Sequence, residues 1–252
     1  MFLEYHRPNN LGEALALLGR QRPKTIPLGG GTVLSHGLAG PTAVVDLQDL
    51  PLNRVSRQGN FLHIGATVTL QKLLEDPEIG SALKDVLHRE ATLNIRNMAT
   101  IAGTLVTADG RSSLTTALLA LDAKLAIMPG EREVTLGDWL PQRASWNPQD
   151  LIVEVIVPAQ PALKFEMVAR SPADQPIVCV AIGEWPSGRT RVALGGTGAA
   201  PILAMDGPES NGADAAAENA YSQASDAYAS GEYRSQVAKV LTRRLLAVGE
   251  TK

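Results

Sequence analysis

Two glycine-centred segments, well separated along the chain, constrain its fold more than any other feature. Residues 27–32 carry glycine at 29, 30 and 31, and residues 95–104 carry glycine at 103. Glycine has no Cβ, so the backbone N–H groups of such loops can come close to a phosphate without a metal ion between them. The pair predicts a fold in which both segments reach one extended, phosphate-bearing cofactor. Taken alone, the first segment is also compatible with a tight turn between a strand and a loop.

Neither segment has the spacing of the common nucleotide-binding loops. A Walker loop needs a lysine and a hydroxyl residue after its last glycine, whereas Thr32, Val33 and Leu34 follow Gly31. A Rossmann loop needs a third glycine that opens a helix, and Gly37 does not stand at that distance. Nucleoside triphosphate hydrolysis and a Rossmann-type site are therefore both disfavoured.

The second segment has polar side chains where a buried turn would have apolar ones. Thr100 can donate its hydroxyl to a phosphate oxygen, and the backbone of residues 101–104 is expected to supply further N–H donors. Arg96 has two interpretations, since it can lie at the cofactor or can pair with a carboxylate and hold the loop. No Ser-His-Asp or Cys-His arrangement accompanies these residues, so no catalytic side chain is assigned and a cofactor is expected to carry the chemistry.

The composition argues against several classes of ligand. With 252 residues the chain can bury a sizeable core in two or three parts, and its net charge of -3 disfavours nucleic acid as a partner. The four histidines have no metal-ligand spacing, so no metal site is predicted. Cys179, the single cysteine, lies in an apolar strand-like run and is expected to be a buried, unreactive thiol. The chain opens without a basic head before an apolar stretch, and no apolar run reaches about eighteen residues, which predicts a cytoplasmic protein without a membrane span.

Hydrophobic periodicity divides the chain into three parts. Residues 1–55 form a small β-α-β unit with the first glycine segment at a strand end, and residues 56–158 add strands and helices around the second segment. Prolines at 158 and 161 mark a boundary. Residues 162–252 begin with antiparallel strands and end with two helices, one over about 213–229 and one from about 230 onward.

Several runs spread over nearly the whole chain match one known family. The most specific is Ile95-Arg96-Asn97-Met98-Ala99-Thr100-Ile101, followed by Gly103. The other runs are residues 2–8, 13–15, 30–34, 64–69, 118–123 and 229–234. With these runs the chain resembles the medium, FAD-binding subunit of molybdenum hydroxylases, the xanthine dehydrogenase and aerobic carbon monoxide dehydrogenase group.

The resemblance implies an α+β fold. A two-part FAD-binding domain of the vanillyl-alcohol oxidase type would be followed by a small C-terminal domain of antiparallel strands and helices. FAD would lie between the two parts, with its pyrophosphate on the two glycine segments. The implied cofactor-binding residues are Gly29, Gly30, Gly31, Thr32, Leu34, Thr100, Ile101, Gly103 and Thr104.

The resemblance also implies partner chains. Electrons would reach FAD from a small iron-sulfur subunit, which is supplied by a large molybdopterin-binding subunit that hydroxylates the substrate, and they would leave for an external acceptor. A chain with one cysteine cannot ligate an iron-sulfur cluster itself, which agrees with this division. The chain would then be an oxidoreductase subunit that is inactive on substrate alone.

Some positions depart from the family pattern, and they lead to a second hypothesis. Ala102 and Thr104 replace a glycine and an asparagine, Ser113 replaces an aspartate, and Met167 replaces a lysine. Val33 and Gly110 are further departures. A homologue that has lost these polar contacts could keep the fold, bind FAD weakly or not at all, and serve as a structural or assembly subunit. A self-contained flavin oxidase is disfavoured, because no base facing a substrate can be named.

Overall fold

The computed structural model describes residues 2–37, 40–147, 149–172 and 174–247, and the chain divides into two units. Unit 1 consists of Met1–Glu78, Leu93–Thr107 and Lys124–Val157, and unit 2 of Ile79–Thr92, Ala108–Ala123 and Pro158–Lys252. The strands are β1 (Phe2–His6), β2 (Thr25–Leu28), β3 (Thr42–Asp46), β4 (Val55–Gln58), β5 (Phe61–Gly65), β6 (Lys124–Met128), β7 (Arg132–Thr135), β8 (Leu151–Pro158), β9 (Ala162–Val168), β10 (Val178–Glu184), β11 (Thr190–Gly195) and β12 (Ile202–Gly207). The helices are α1 (Leu11–Gly19), α2 (Leu70–Glu75), α3 (Ser81–Glu90), α4 (Leu93–Met98), α5 (Ile101–Thr107), α6 (Ser113–Ala120), α7 (Leu136–Gln142), α8 (Ala213–Ala220) and α9 (Gly231–Ala247).

Unit 1 begins with a parallel three-stranded sheet in the order β1-β3-β2. Helix α1 connects β1 to β2, and Asn10 caps it by accepting the Glu13 N–H at 2.9 Å. The helix buries Ala14 and Leu18 against a cluster that includes Val45 of β3. Because parallel strands end at a common edge, this connection places the residues that follow β2 beside the end of β3.

A second, five-stranded sheet in unit 1 has the order β4-β5-β8-β6-β7. Residues alternate along β6, where Leu125 and Ile127 are buried and their neighbours are half-buried. This period of two is typical of a strand with one core face. Three helices between β5 and β6 belong to unit 1: α2, α4 and α5. The second glycine segment lies on α4 and α5.

Unit 2 is built on an antiparallel sheet in the order β12-β11-β10-β9. Strand β10 is buried on both faces, as its unbroken apolar run predicts. Val180 and Ile182 pack with α8 and α9, whereas Cys179 on the other face lies 3.6 Å from the Thr116 hydroxyl of α6. Gly183 faces α6 as well, since a Cβ there would lie 2.4 Å from the Ala120 carbonyl oxygen.

Two elements differ from the sequence-based expectation. The helix predicted over about 213–229 ends at Ala220, because Asp226 accepts the N–H groups of Tyr228 and Ala229 at 2.8 and 3.1 Å and so folds the following residues into a turn. The second glycine segment is not an open loop but two short helices, α4 and α5, that break at Thr100. The limits 1–55, 56–158 and 162–252 stay a prediction.

Candidate cofactor site

The first glycine segment leaves the parallel sheet of unit 1 at the carboxyl end of β2. Leu28 is paired with Asp46 in the last register position of the two strands, and the chain then turns through Gly29, Gly30 and Gly31. Gly31 has φ +70, a conformation that L side chains rarely adopt. Its carbonyl accepts the Ser35 N–H at 3.0 Å, which closes the turn.

The N–H groups of this turn are available to a ligand. Among the described residues, none accepts a hydrogen bond from the backbone N–H of Gly29, Gly30, Gly31 or Thr32. All four residues are half-buried. Successive free N–H groups around a left-handed residue form a concave site for an anion.

The second segment is fixed to the rest of unit 1 by its backbone. Thr100 forms an isolated antiparallel bridge with Thr69, in which the N–H of Leu70 donates to the Ala99 carbonyl and the N–H of Ile101 donates to the Val68 carbonyl, both at 2.9 Å. The Thr100 side chain is buried, and its Oγ1 accepts the Gly103 N–H at 3.2 Å. This side chain therefore caps α5 while its hydroxyl hydrogen can still be donated.

The structure brings the two glycine segments into direct contact. A Cβ on Gly30 would lie 1.5 Å from the Met98 carbonyl oxygen, so only glycine fits at this position. A Cβ on Gly29 would lie 2.7 Å from Thr100 Oγ1, and one on Gly103 would lie 2.8 Å from the same atom. The three glycines thus allow a close approach at the break between α4 and α5. The two glycine segments, which the sequence analysis expected to reach one cofactor, lie side by side.

The donors of the second segment differ from the expectation. The N–H groups of Ile101, Ala102 and Thr104 donate to the carbonyls of Val68, Ala66 and Thr100, and that of Gly103 donates to Thr100 Oγ1. Residues 101–104 therefore supply no free backbone donor, because they form the first turn of α5 against the segment between β5 and α2. The second segment provides the Thr100 hydroxyl and the shape of the recess, and the first provides the free N–H groups.

Comparison with known proteins identifies the family. Residues 1–160 match the family described as the FAD binding domain in molybdopterin dehydrogenase. The chain belongs to this family. The family expected from the sequence motifs is thus confirmed, and with it the α+β fold, the oxidoreductase class and FAD as the cofactor of this domain.

Individual relatives match over nearly their full length. The uncharacterized protein YgfM of Escherichia coli (strain K12) is 29% identical over 258 residues, covering 98% of this chain and 96% of YgfM. The carbon monoxide dehydrogenase medium chain of Afipia carboxidovorans is 29% identical over 274 residues, covering 96% of this chain and 94% of that one. The structure of reconstituted CO dehydrogenase from Oligotropha carboxidovorans matches with a TM-score of 0.84 and 26% identity, covering 97% of this chain and 96% of that chain.

Arg96 holds the second segment in place. It is 9% exposed, and its Nε donates to Gln71 Oε1 of α2 at 3.0 Å. Of its two interpretations, the geometry supports the one in which it fixes the loop, although an amide oxygen takes the place of the expected carboxylate in this contact. Leu34 lies in a short 3-10 turn, Leu34–His36, and is half-buried.

Exposed apolar side chains lie near both segments and were not predicted from the sequence. Val33, Met98 and Val106 are each about half exposed, at 49%, 51% and 49%. Val106 follows Gly103 by three positions on α5, a helical spacing that could have indicated it. Such side chains can cover an apolar part of a bound cofactor.

Unit 2 contains three of the positions named above as departures from the family pattern, and two of them, Ser113 and Met167, contact each other. Ser113 is 1% exposed, and its hydroxyl lies 3.9 Å from the Met167 sulfur. The resemblance implies an aspartate and a lysine at these positions, and this chain has a neutral pair there. The loss of one charge is matched by the loss of the other.

Glu90 is a further polar residue that sequence reasoning missed. Its carboxylate accepts the Ser112 hydroxyl at 2.8 Å and the Leu114 N–H at 2.7 Å, and so caps the start of α6. Burial raises the pKa of Glu90, although these hydrogen bonds favour the ionised form. No motif indicates this residue, because it comes from α3, far from α6 in sequence.

Two absences concern only the described part of the chain. Within it, no helix is both long enough and apolar enough to cross a membrane. Nor do its His, Cys, Asp and Glu side chains form a group of three or more that could hold a metal ion.

Proposed function

We propose that this chain is the FAD-carrying subunit of a molybdenum-hydroxylase-type complex and passes electrons from an iron-sulfur partner subunit through FAD to an external acceptor. The observation that carries the proposal is the run of free N–H groups from Gly29 to Thr32, which rests on the second glycine segment. Membership of the FAD-binding family supports FAD as the ligand of this recess.

The donor set fits a pyrophosphate. Four free N–H groups lie in a turn that has no side chain at positions 29–31, and a Cβ on Gly29 would lie 2.7 Å from the Thr100 hydroxyl oxygen. A hydrogen bond to a charged group contributes about 1.5–3 kcal/mol, so a few of these donors can hold two phosphates without a metal ion. Residues 29–32 and Thr100 would hold the pyrophosphate, and Val33 and Val106 would cover apolar parts of the cofactor. FAD, when bound, supplies the capacity to take up and release electrons.

Partner chains supply what this chain lacks. Its one cysteine, Cys179, is fully buried in unit 2, and burial raises the pKa of its thiol to about 12. Such a thiol cannot act as a cluster ligand, so the electron donor has to be on another chain. The relative from Afipia carboxidovorans is named a medium chain, which supports assembly with larger and smaller subunits.

A second candidate function keeps the fold but not the redox role. The resemblance implies charged groups where this chain has Ser113 and Met167. Residues 101–104 use their own N–H groups internally, so the second segment leaves FAD only the Thr100 hydroxyl. A chain with too few contacts to FAD would serve as a structural or assembly subunit.

Flavin binding separates the two candidates. We expect the purified chain, or the chain refolded with FAD, to show absorption bands at about 370 and 450 nm. These bands belong to the cofactor itself. Titration of the apo protein with FAD, followed by flavin fluorescence, should then give a stoichiometric end point. A protein without these bands that also takes up no added FAD would favour the structural role.

The relay requires the assembled complex. After rapid mixing with reducing substrate, the iron-sulfur absorption should bleach before the flavin absorption, and removal of FAD should stop reduction of the external acceptor. A complex that reduces the acceptor equally well without FAD would contradict the proposed path.

A further inference from the structure

Two arginines stack on one half-exposed tyrosine in unit 2. The guanidinium carbon of Arg111 lies 4.2 Å from the centre of the Tyr228 ring, and that of Arg170 lies 5.3 Å from it. Tyr228 is 48% exposed, and Arg170 is exposed as well. The three side chains come from the loop before α6, the residues after β9 and the loop before α9.

Hydrogen bonds fix the Arg111 side chain and the backbone of Tyr228 before any ligand binds. Arg111 donates from Nε to the Pro176 carbonyl at 3.0 Å and from Nη2 to the Gln175 carbonyl at 2.8 Å. The N–H of Tyr228 donates to Asp226, whose carboxylate is paired with Arg234 at 2.7 Å. Because backbone carbonyls hold the Arg111 side chain and a paired carboxylate holds the backbone of Tyr228, two of the three residues are preorganised.

The positive charge of the cluster is not neutralised within the described residues. Neither Arg111 nor Arg170 has a carboxylate oxygen within 4.0 Å there, whereas five of the six other arginines of unit 2 do. The Asp226 carboxylate is already bound to Arg234, and Asp109 accepts the backbone N–H of Arg111. Two guanidinium groups close to one ring repel each other, and an anion bound beside them would relieve that repulsion.

We propose that Arg111, Tyr228 and Arg170 form a binding site for a phosphate group, free or carried by a nucleotide. Guanidinium groups bind phosphate oxygens through paired N–H donors, and stacking on an aromatic ring orients them for this. A doubly charged oxyanion matches two cations better than a single carboxylate does. The site belongs to unit 2 and uses none of the residues assigned to FAD.

Calorimetric titration tests the site with inorganic phosphate and, separately, with AMP, at constant ionic strength. In addition to any anion bound at residues 29–32, we expect one saturable site per chain that persists in Gly30→Ala. Arg170→Gln should weaken this site at least about tenfold, since one charge-assisted contact is lost. Tyr228→Phe should retain binding because the ring remains, and Tyr228→Leu should weaken it. Tighter binding of AMP than of phosphate would identify a nucleotide as the ligand, and equal binding would identify the free ion.

Matched variants keep the test specific. Arg170 makes no side-chain hydrogen bond to a described residue, so Arg170→Gln should leave the melting temperature unchanged. Arg244→Gln removes another exposed arginine of unit 2 and should leave phosphate binding intact. Gly30→Ala should abolish FAD binding but not phosphate binding, which separates this site from the proposed function. The proposal would be overturned if neither phosphate nor AMP saturated the wild-type protein. It would also be overturned if Arg170→Gln and Arg244→Gln weakened phosphate binding equally.

Discussion

Replacing Gly30 by alanine tests whether the contact between the glycine segments forms the cofactor site. The added Cβ would lie 1.5 Å from the Met98 carbonyl oxygen and 2.4 Å from its carbon. Optimal non-bonded separations are about 3.5–4.0 Å, so the two segments would have to move apart by about 2 Å. Both atoms of Met98 belong to the backbone, and no side-chain rotation can relieve the clash.

A displacement of this size affects binding more than folding. Hydrogen bonds weaken steeply beyond about 3.2 Å, so a shift of about 2 Å would remove at least two donors from the pyrophosphate. At about 1.5–3 kcal/mol for each charged hydrogen bond, the loss is about 3 kcal/mol or more, which corresponds to at least a hundredfold rise in Kd. Overpacking itself costs typically about 1–3 kcal/mol of stability, which a domain of ordinary stability can survive.

Titration of the apo protein with FAD, followed by quenching of flavin fluorescence, measures the change, and urea unfolding measures stability in parallel. Gly19→Ala is the matched control, because Gly19 ends α1 and a Cβ there meets nothing within 4 Å. The control should bind FAD as the wild type does. If Gly30→Ala also bound FAD with wild-type affinity while remaining folded, the recess between the segments would not be the pyrophosphate site.

Three further predictions concern unit 2. Ser113→Asp would place an unpaired carboxylate at a buried position and should lower the free energy of unfolding in urea by about 3 kcal/mol. Adding Met167→Lys should restore most of that stability. If the effects of the two changes were additive, the pairing would be refuted. Asp226→Asn should cost about 3 kcal/mol, because it leaves the fully buried Arg234 without its counter-ion. Burial acts to raise the pKa of Asp226, but hydrogen bonds from the Tyr228 N–H and Arg234 lower it from 3.8 to about 2. The contribution of Asp226 to stability is therefore complete above about pH 4 and is lost as pH falls toward 2. The same acid dependence of unfolding in the wild type and in Asp226→Asn would contradict this. Cys179, whose pKa burial raises to about 12, should react with a thiol reagent at pH 8 only after unfolding, and rapid labelling of the native protein would show that the thiol is accessible.

The parts of the fold that the sequence predicted are those in which local pattern and burial agree. The apolar run before Glu184 indicated a buried strand, and β10 is buried on both faces. Helices α1 and α2 begin after capping residues, since the side chains of Asn10 and Thr69 accept the N–H groups of Glu13 and Lys72. In each case a few adjacent residues decide the structure, so no knowledge of tertiary contacts is needed.

The donors of the candidate site could not be predicted in the same way. Both glycine segments offer uncrowded N–H groups in the sequence, but only the structure shows that those of residues 101–104 are used by Thr100 and by the segment between β5 and α2. The capping of α6 by Glu90 and the contact of Ser113 with Met167 join residues far apart in sequence. Such contacts are set by tertiary packing, which a pattern along one chain does not encode.

The departures from the family pattern have unequal consequences for FAD binding. At position 102 the backbone N–H donates to the Ala66 carbonyl, a bond that does not involve the side chain, so alanine in place of glycine removes no donor. The free donors of residues 29–32 also remain. Ser113 and Met167 do remove charges, but they remove one of each sign, so no unpaired buried charge is left. The substitutions should therefore weaken the contacts to FAD without closing the pyrophosphate recess, which favours a flavoprotein of reduced affinity over a chain that has lost its cofactor.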